Sequence, residues 1–291
     1  MSRAFAIVVV FAVSVSAALA QDVDSLLDAM TARGTEPVVA TFKSSRILNG
    51  HSIEQMRAGD LDVRIHHRFG PVNSGPGEFW GLDVSTVYLG LELGVTDWLM
   101  LGVGRSSYQK TVSGFAKMKL LRQEIGEGAM PVALSLFAGM DVTGHPWPYA
   151  ARTERLVERM SSVLQILIAR KLSEALSLQV TPTLVHRNLV EGPGGNNELY
   201  AVGIGGRYKL SPRISVNAEY HALVQTFDPS NDARTSTLSL GCDIETGGHV
   251  FQLILTNALP MFERGFIGET GTTWGDGGIH IGFNISRVFS L

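Results

Sequence analysis

Only one cysteine, Cys242, occurs among the 291 residues, which excludes an internal disulfide framework. It reads most simply as a small apolar residue on a strand face. No cluster of cysteines is available for a metal, and the eight histidines are scattered. His66 and His67 are adjacent, so on a strand they face opposite sides and cannot chelate together. Net charge is small, −3, and leaves no basic footprint for nucleic acid. Beyond the first twenty residues no apolar run reaches the ~20 residues that a membrane-spanning helix needs. The sequence thus points to no metal, no cofactor, no nucleic acid and no helical membrane anchor.

What is present begins with an export signal over residues 1–20. Arg3 gives the positive start, Ala4 to Val15 the apolar run, and Ala18-Leu19-Ala20 a small-x-small cleavage site before Gln21. No Cys follows that site, so lipid attachment there is not expected. At the other end, Ile279, Ile281, Phe283, Ile285, Phe289 and Leu291 alternate with His280, Gly282, Asn284, Ser286 and Ser290. A period of two gives one apolar and one polar face. A final strand with an aromatic near its end is similar to the closing strand of bacterial outer-membrane barrels.

The same alternation runs back to about Gly59. Leu61, Val63, Ile65 and Phe69 interleave with Asp60, Asp62, Arg64, His66 and Arg68. Similar runs centre on Leu91, Leu101, Met118, Leu134, Ile166, Val180, Ile204, Val216, Leu240 and Leu253, the one at Met118 being the least clear. With the terminal strand this makes about twelve, an even number as single-chain bacterial barrels have. Short connections (Thr96-Asp97, Ser173–Ala175, Ser211–Arg213, Thr246–Gly248) alternate with long Gly- and Pro-rich ones. Arg122–Met130 is the exception, too long for a tight turn. A soluble sandwich also alternates, but several runs here are about ten residues, the length that crosses a bilayer when tilted. The fold expected is all-β: a transmembrane antiparallel barrel over residues 59–291, in contact with outer-membrane lipid, with both termini periplasmic.

Residues 21–58 lie outside the strand pattern. Asp22–Arg33 has helical spacing at Val23, Leu26, Leu27 and Met30, Pro37–Leu48 is extended, and Asn49-Gly50 signals a turn. This arm is either a plug in the lumen or a peripheral periplasmic segment. Aromatics near strand ends (Trp80, Trp98, Tyr108, Tyr200, Phe289) fit interface girdles. Trp147 and Trp274, in long loops, either dock a surface partner or pack the loop.

Five blocks carry a family resemblance: Thr41-Phe42-Lys43 with Arg46 to Glu54, Thr181 to Leu189, Gly205 to Leu210, Asp243 to Leu253, and Gly282 to Phe289. Together they resemble an uncharacterised family of outer-membrane β-barrels from Gram-negative bacteria, a domain of unknown function. The resemblance covers the chain from about Thr41 to its end. It implies a barrel and an outer-membrane location, and no activity, substrate or catalytic residue.

The polar phase supplies the candidate lumen residues: Arg64, His66, Arg68, Glu92, Lys117, Lys119, Arg187, Arg207, Glu219 and Asp243, with Asp141, Lys209 and Glu245 beside them. Pointing inward, they make either a narrow pore or small-solute site with weak anion preference, or a salt-bridged filling that closes a small barrel. A scaffold barrel binding a periplasmic or outer-membrane protein through loops or arm is the alternative. A lipid hydrolase needs Ser beside His, and no such pair stands on the lipid-facing phase, so no catalytic residue is assigned. Gly102-x-Gly104 and Gly203-x-Gly205-Gly206 do not sit between strand and helix, as phosphate loops must. They read as small residues that leave room for lumen side chains.

Overall fold

The computed structural model describes residues 34–146, 155–189, 197–224 and 234–291. The export signal, the helix expected over Asp22–Arg33, and Trp147 lie outside the described residues. The elements in chain order are β1 (Glu36–Pro37), β2 (Asp60–Pro71), β3 (Ser85–Gly94), β4 (Leu99–Ser106) and β5 (Val112–Leu121). There follow β6 (Glu124–Ile125), β7 (Ala133–Val142), β8 (Met160–Lys171), β9 (Leu176–Arg187) and β10 (Glu198–Lys209). Last come β11 (Ile214–Leu223), β12 (Thr237–Thr246), β13 (His249–Thr256), a short helix α1 (Glu263–Gly268) and β14 (His280–Ser290).

All of these strands except β1 and β6 form one closed antiparallel barrel of twelve. Each wall strand pairs with the next along the chain, and β14 closes onto β2 with Phe289 opposite Leu61 and Ile285 opposite Ile65. Closure leaves no free edge in the wall. Alternation sets the two faces. Along β8, Ser161, Val163, Gln165, Leu167 and Ala169 are buried, while Leu164, Ile166 and Ile168 are exposed. The same outward phase exposes Leu89, Leu91, Val103, Val180, Ile204, Leu240 and Leu253. An apolar belt this extensive is at home against lipid and out of place in water.

The β12–β13 turn is two residues, Gly247 and Gly248, with φ of 40° and 116°; positive φ at both positions suits the twist of a tight hairpin. The long connection between β5 and β7 has its own explanation. It contains β6, which pairs with β1 of the arm outside the barrel (Glu36 opposite Ile125, Pro37 opposite Glu124). Val38 N–H adds a bond to the Gln123 carbonyl (2.8 Å), and Thr35 Oγ1 one to Glu124 (2.8 Å). The extra residues are thus a mooring for the chain before it enters the barrel.

The weak alternation around Met118 also has a cause. Phe115 lies on the lumen phase, edge-on to the His51 ring with centroids 4.5 Å apart, so an aromatic occupies a position the pattern reserves for polar residues. A register shift between Lys119 and Leu121 then breaks the phase.

The belt predicts a steep cost for charge. Leu253, in the middle of β13 and more than half exposed, faces lipid. Leu253→Arg should destabilise the barrel by ~2–4 kcal/mol in reversible urea unfolding from phospholipid vesicles, and Leu253→Ala by clearly less. Equal stability of the arginine variant and the parent would contradict a lipid-facing wall.

Candidate functional site

The feature that dominates the barrel interior is a hairpin. Residues 41–53, apart from the half-buried Lys43, are buried. Arg46 pairs with His51 in an antiparallel bridge, with further backbone bonds Ile47 N–H to Gly50 C=O and Ser52 N–H to Ser45 C=O (both 2.9 Å). Its tip, Leu48-Asn49-Gly50, is where the sequence signals a turn, but neither Asn49 nor Gly50 has positive φ. Gly50 lies close under the wall: a Cβ there would crowd the His221 ring at 3.2 Å and touch Glu219 Oε2 at 3.6 Å.

So short a hairpin satisfies few of its own backbone groups, and a buried unpaired one is costly. Wall side chains satisfy the rest. Gln252 donates to the Ile47 carbonyl (2.8 Å), Asn284 to Leu48 (2.9 Å) and Gln179 to His51 (2.8 Å). Lys117 Nζ donates to the carbonyls of Ser52 (3.1 Å) and Glu54, and Arg207 to those of Ala40 (3.1 Å) and Thr41 (3.3 Å). At the tip the sense reverses. The Glu219 carboxylate accepts the N–H groups of Leu48 (3.3 Å), Asn49 (2.7 Å) and Gly50 (3.2 Å).

Side chains add a second set of contacts. Arg68 donates to Asn49 Oδ1 (2.8 Å), Asn49 Nδ2 to Ser239 (2.8 Å), Arg64 to Ser44, and Ser45 to Glu92; Lys43 pairs with Glu245 at the mouth. The apolar side chains Phe42, Ile47, Leu48 and Ile53 join one cluster with Phe137, Val163, Leu167, Val185 and Leu199 of the wall. Burying each is worth about 1.5–3 kcal/mol. Glycines make the room. A Cβ at Gly205 would lie 2.3 Å from Ile47 Cδ1, and one at Gly241 2.7 Å from Leu48 Cδ2.

The opposite end is closed by the β13–β14 connection. It turns inward, and every residue of α1 is buried. Phe266 and Ile267 enter the same apolar cluster. Glu263 is the meeting point: it pairs with Arg46, and its Oε1 lies 3.6 Å from His51 Nε2. His51 is wedged between Phe115 and Phe137, each with ring centroids 4.5 Å away. Burial first, then the nearby cations Arg46, Lys117 and Arg64, hold its imidazole well below the usual range, so it is neutral. Burial pushes the Glu263 carboxyl up, against the pull of Arg46. A water-sized gap beside the tip is lined by His51, His221, Gln165, Gln179 and Glu219 together with Ile47, Ile204 and glycines.

Arg64, His66, Arg68, Glu92, Lys117, Arg207, Glu219 and Asp243 are all buried. Arg64 binds Asp62 (2.8 Å) and lies 3.3 Å from Glu92, and Asp243 accepts from Ser215 (3.0 Å) and Gln252 (2.8 Å). Lys119 and Arg187 differ: both are half-buried near strand ends, and Lys119 Nζ bonds the Asp97 carbonyl (3.1 Å) in a short turn. Lys209 and Glu245 are likewise half-buried near the short-turn end. Tyr108, expected in an interface girdle, instead packs on Phe262 of the inward loop (centroids 6.2 Å). Trp274 Nε1 donates to the Leu238 carbonyl (2.9 Å) and so ties its loop to β12.

Sequence reasoning missed the apolar sector of the lumen, where Phe137, Val163, Leu167, Val185 and Leu199 face inward. It also missed the amide donors Gln179, Gln252 and Asn284 and the inward loop. One signal was legible: buried-phase Gln and Asn recurring mid-strand, unusual unless they meet a backbone.

Residues 42–289 match the family described as membrane bound beta barrel domain (DUF5777). No curated protein matches the sequence. Among solved structures, the COG4313 outer membrane channel from Pseudomonas putida F1 aligns with a TM-score of 0.47 at 16% identity, over 81% of this chain and 98% of its own. The KdgM porin gives 0.46 at 6% identity, over 80% and 99%. Outer membrane phospholipase A from Escherichia coli gives 0.40 at 11% identity, over 79% and 91%. None of these likenesses bears on activity.

Two outcomes are expected for the hairpin. Glu219→Ala strands three buried N–H donors, each costing about 1–3 kcal/mol, so amide exchange at Leu48, Asn49 and Gly50 should quicken by at least tenfold while β8 and β9 stay protected. Acid should act similarly. Because the seated imidazole of His51 is held below its free value of ~6.5, the released hairpin binds the proton better, and seating weakens as pH falls below that value. Glu263, shifted upward, contributes with the opposite sign. His51→Gln should therefore remove the His51 part of the pH slope in hairpin exchange corrected for intrinsic rates; an unchanged slope would refute that assignment.

Proposed function

The chain belongs to the membrane-bound β-barrel domain family, as an outer-membrane β-barrel, and we propose that it is a narrow conduit for small solutes, closed at rest by its N-terminal hairpin. The observation that carries this reading is the manner of the closure. The hairpin's partners are almost all on the wall, and it is tethered to the short-turn end through the β1–β6 pair. Its seat is a set of hydrogen bonds and ion pairs, with four apolar side chains as ballast. Such a seat can be vacated without unpairing any wall strand.

The same reading places both termini on the periplasmic side. The wall begins at Asp60 and ends at Ser290, side by side in register at the short-turn end. Outer-membrane barrels keep short turns on that side. The arm would then enter from the periplasm, after removal of the export signal, and the inward loop with α1 would close the outer mouth. Solutes would pass once both have moved, and displacing the hairpin takes Arg46 from Glu263 and so loosens the loop as well. The charged wall would set a preference among solutes, and no catalytic residue is assigned.

The test displaces the hairpin and leaves the wall intact. In Ile47→Asp/Leu48→Asp, two carboxylates must be buried against the notches at Gly205 and Gly241. An uncompensated buried charge costs ~3–5 kcal/mol, so open events in planar bilayers should rise by about a hundredfold or more over the parent. Arg46→Ala, which frees Glu263, should give a smaller rise in the same direction. Folding of each variant is checked by heat-modifiable migration in detergent gels. Folded variants that conduct no better than the parent would eliminate the conduit.

A further inference from the structure

Resting on that closed-conduit reading, we infer that the lumen is a binding site for short oligopeptides, recognised through their backbone amides, and that the hairpin is a built-in occupant of that site. The wall holds the hairpin chiefly by its main chain. Donors on four strands besides the acceptor's own (Lys117, Gln179, Arg207, Gln252) and Asn284 on a fifth end on carbonyl oxygens. The Glu219 carboxylate collects three consecutive backbone N–H groups. Carbonyls and N–H groups recur in every peptide, so this set of partners is indifferent to sequence, as in other backbone-read recognition.

Two features narrow the ligand class. The first is Glu219. A carboxylate brought to the tip position would meet a carboxylate and offer it no proton, and a phosphate would bring one or two negative charges against it, whereas a peptide turn presents neutral N–H groups to it, an anion nest supplied by the ligand. The second is the pair of notches. Gly205 and Gly241 each leave room for one aliphatic side chain from successive residues, Ile47 and Leu48. A neutral oligosaccharide offers hydroxyls for the donors and has no aliphatic branches for the notches. A short peptide with one or two aliphatic residues near a turn satisfies the wall's N–H donors with its carbonyls, and the carboxylate and the notches together. The seated hairpin then competes with such a peptide.

The full-length Ile47→Asp/Leu48→Asp protein in planar bilayers supplies the test. Neutral hexapeptides of two unrelated sequences, each with adjacent aliphatic residues, are added to one chamber, against a neutral malto-oligosaccharide and inorganic phosphate. Both peptides should block the current in a saturable way, and the sugar and phosphate should not. Adding Asn284→Ala or Gln252→Ala should each raise the blocking concentration about three- to tenfold, the loss of one backbone hydrogen bond. A variant that conducts but is blocked by no peptide, or is blocked equally well by sugar or phosphate, would overturn the peptide assignment and leave the conduit standing. A folded variant that does not conduct would overturn the conduit and this inference with it.

Discussion

A polypeptide that enters a barrel takes its backbone polar groups out of water, and a hairpin of two short arms can pair only a few of them internally. Each group left over must find a partner or exact a desolvation penalty. The rest of this structure follows from how that demand is met. The wall carries Gln179, Gln252, Asn284, Lys117 and Arg207 at the heights where carbonyls arrive, and Glu219 where N–H groups arrive. The charged wall residues therefore do more than neutralise one another. Arg64 and Glu92 pair across neighbouring strands and also grip Ser44 and Ser45. Filling and fastening are one network.

Packing obeys the same logic. The barrel interior is unequal around its circumference: polar and charged on β2, β3 and β5, with apolar residues concentrated on β7 to β10. The hairpin turns Phe42, Ile47, Leu48 and Ile53 toward the apolar cluster and Ser44, Ser45, Arg46 and Asn49 toward the polar partners. An amphipathic insert needs an amphipathic bore. Missing side chains at Gly205 and Gly241 let the insert approach the wall more closely than a bulkier residue would allow.

The wall was legible from period two because lipid imposes a one-sided rule: outward residues are apolar with few exceptions, so phase alone separates the faces. That rule says nothing about the inner face, which answers to whatever fills it. Hence β8 reads Val163-Leu164-Gln165-Ile166-Leu167-Ile168, nearly continuous apolar sequence, and its lumen side is disguised. Phe115 hides β5 in the same way. The turn at Asn49-Gly50 was visible, but where it is seated depends on partners more than a hundred residues away, Gln179, Glu219 and Asn284 among them, which no local pattern reports. The loop carrying α1 was the hardest to foresee. Its Phe262, Phe266 and Ile267 are too few and too dispersed to stand out among Gly and Pro, and they become interior where Phe262 meets Tyr88 and where Phe266 and Ile267 meet the apolar cluster of the lumen.

The two closures are joined at one carboxylate. Glu263 on the loop side engages Arg46 and stands beside His51 on the hairpin side. With the hairpin withdrawn, the buried Glu263 would lose its cation, and with the loop withdrawn, Arg46 would keep Glu92 as its one carboxylate, 3.6 Å away. A buried charge deprived of its partner is far costlier than the pair is stabilising, so each element raises the cost of moving the other. On the closed-conduit reading, opening from one side alone would be penalised, and the low-cost route would be concerted. On that reading, a barrel built this way would stay shut against thermal escape of either part, while a ligand that replaces the partners of one element would lower the barrier for both.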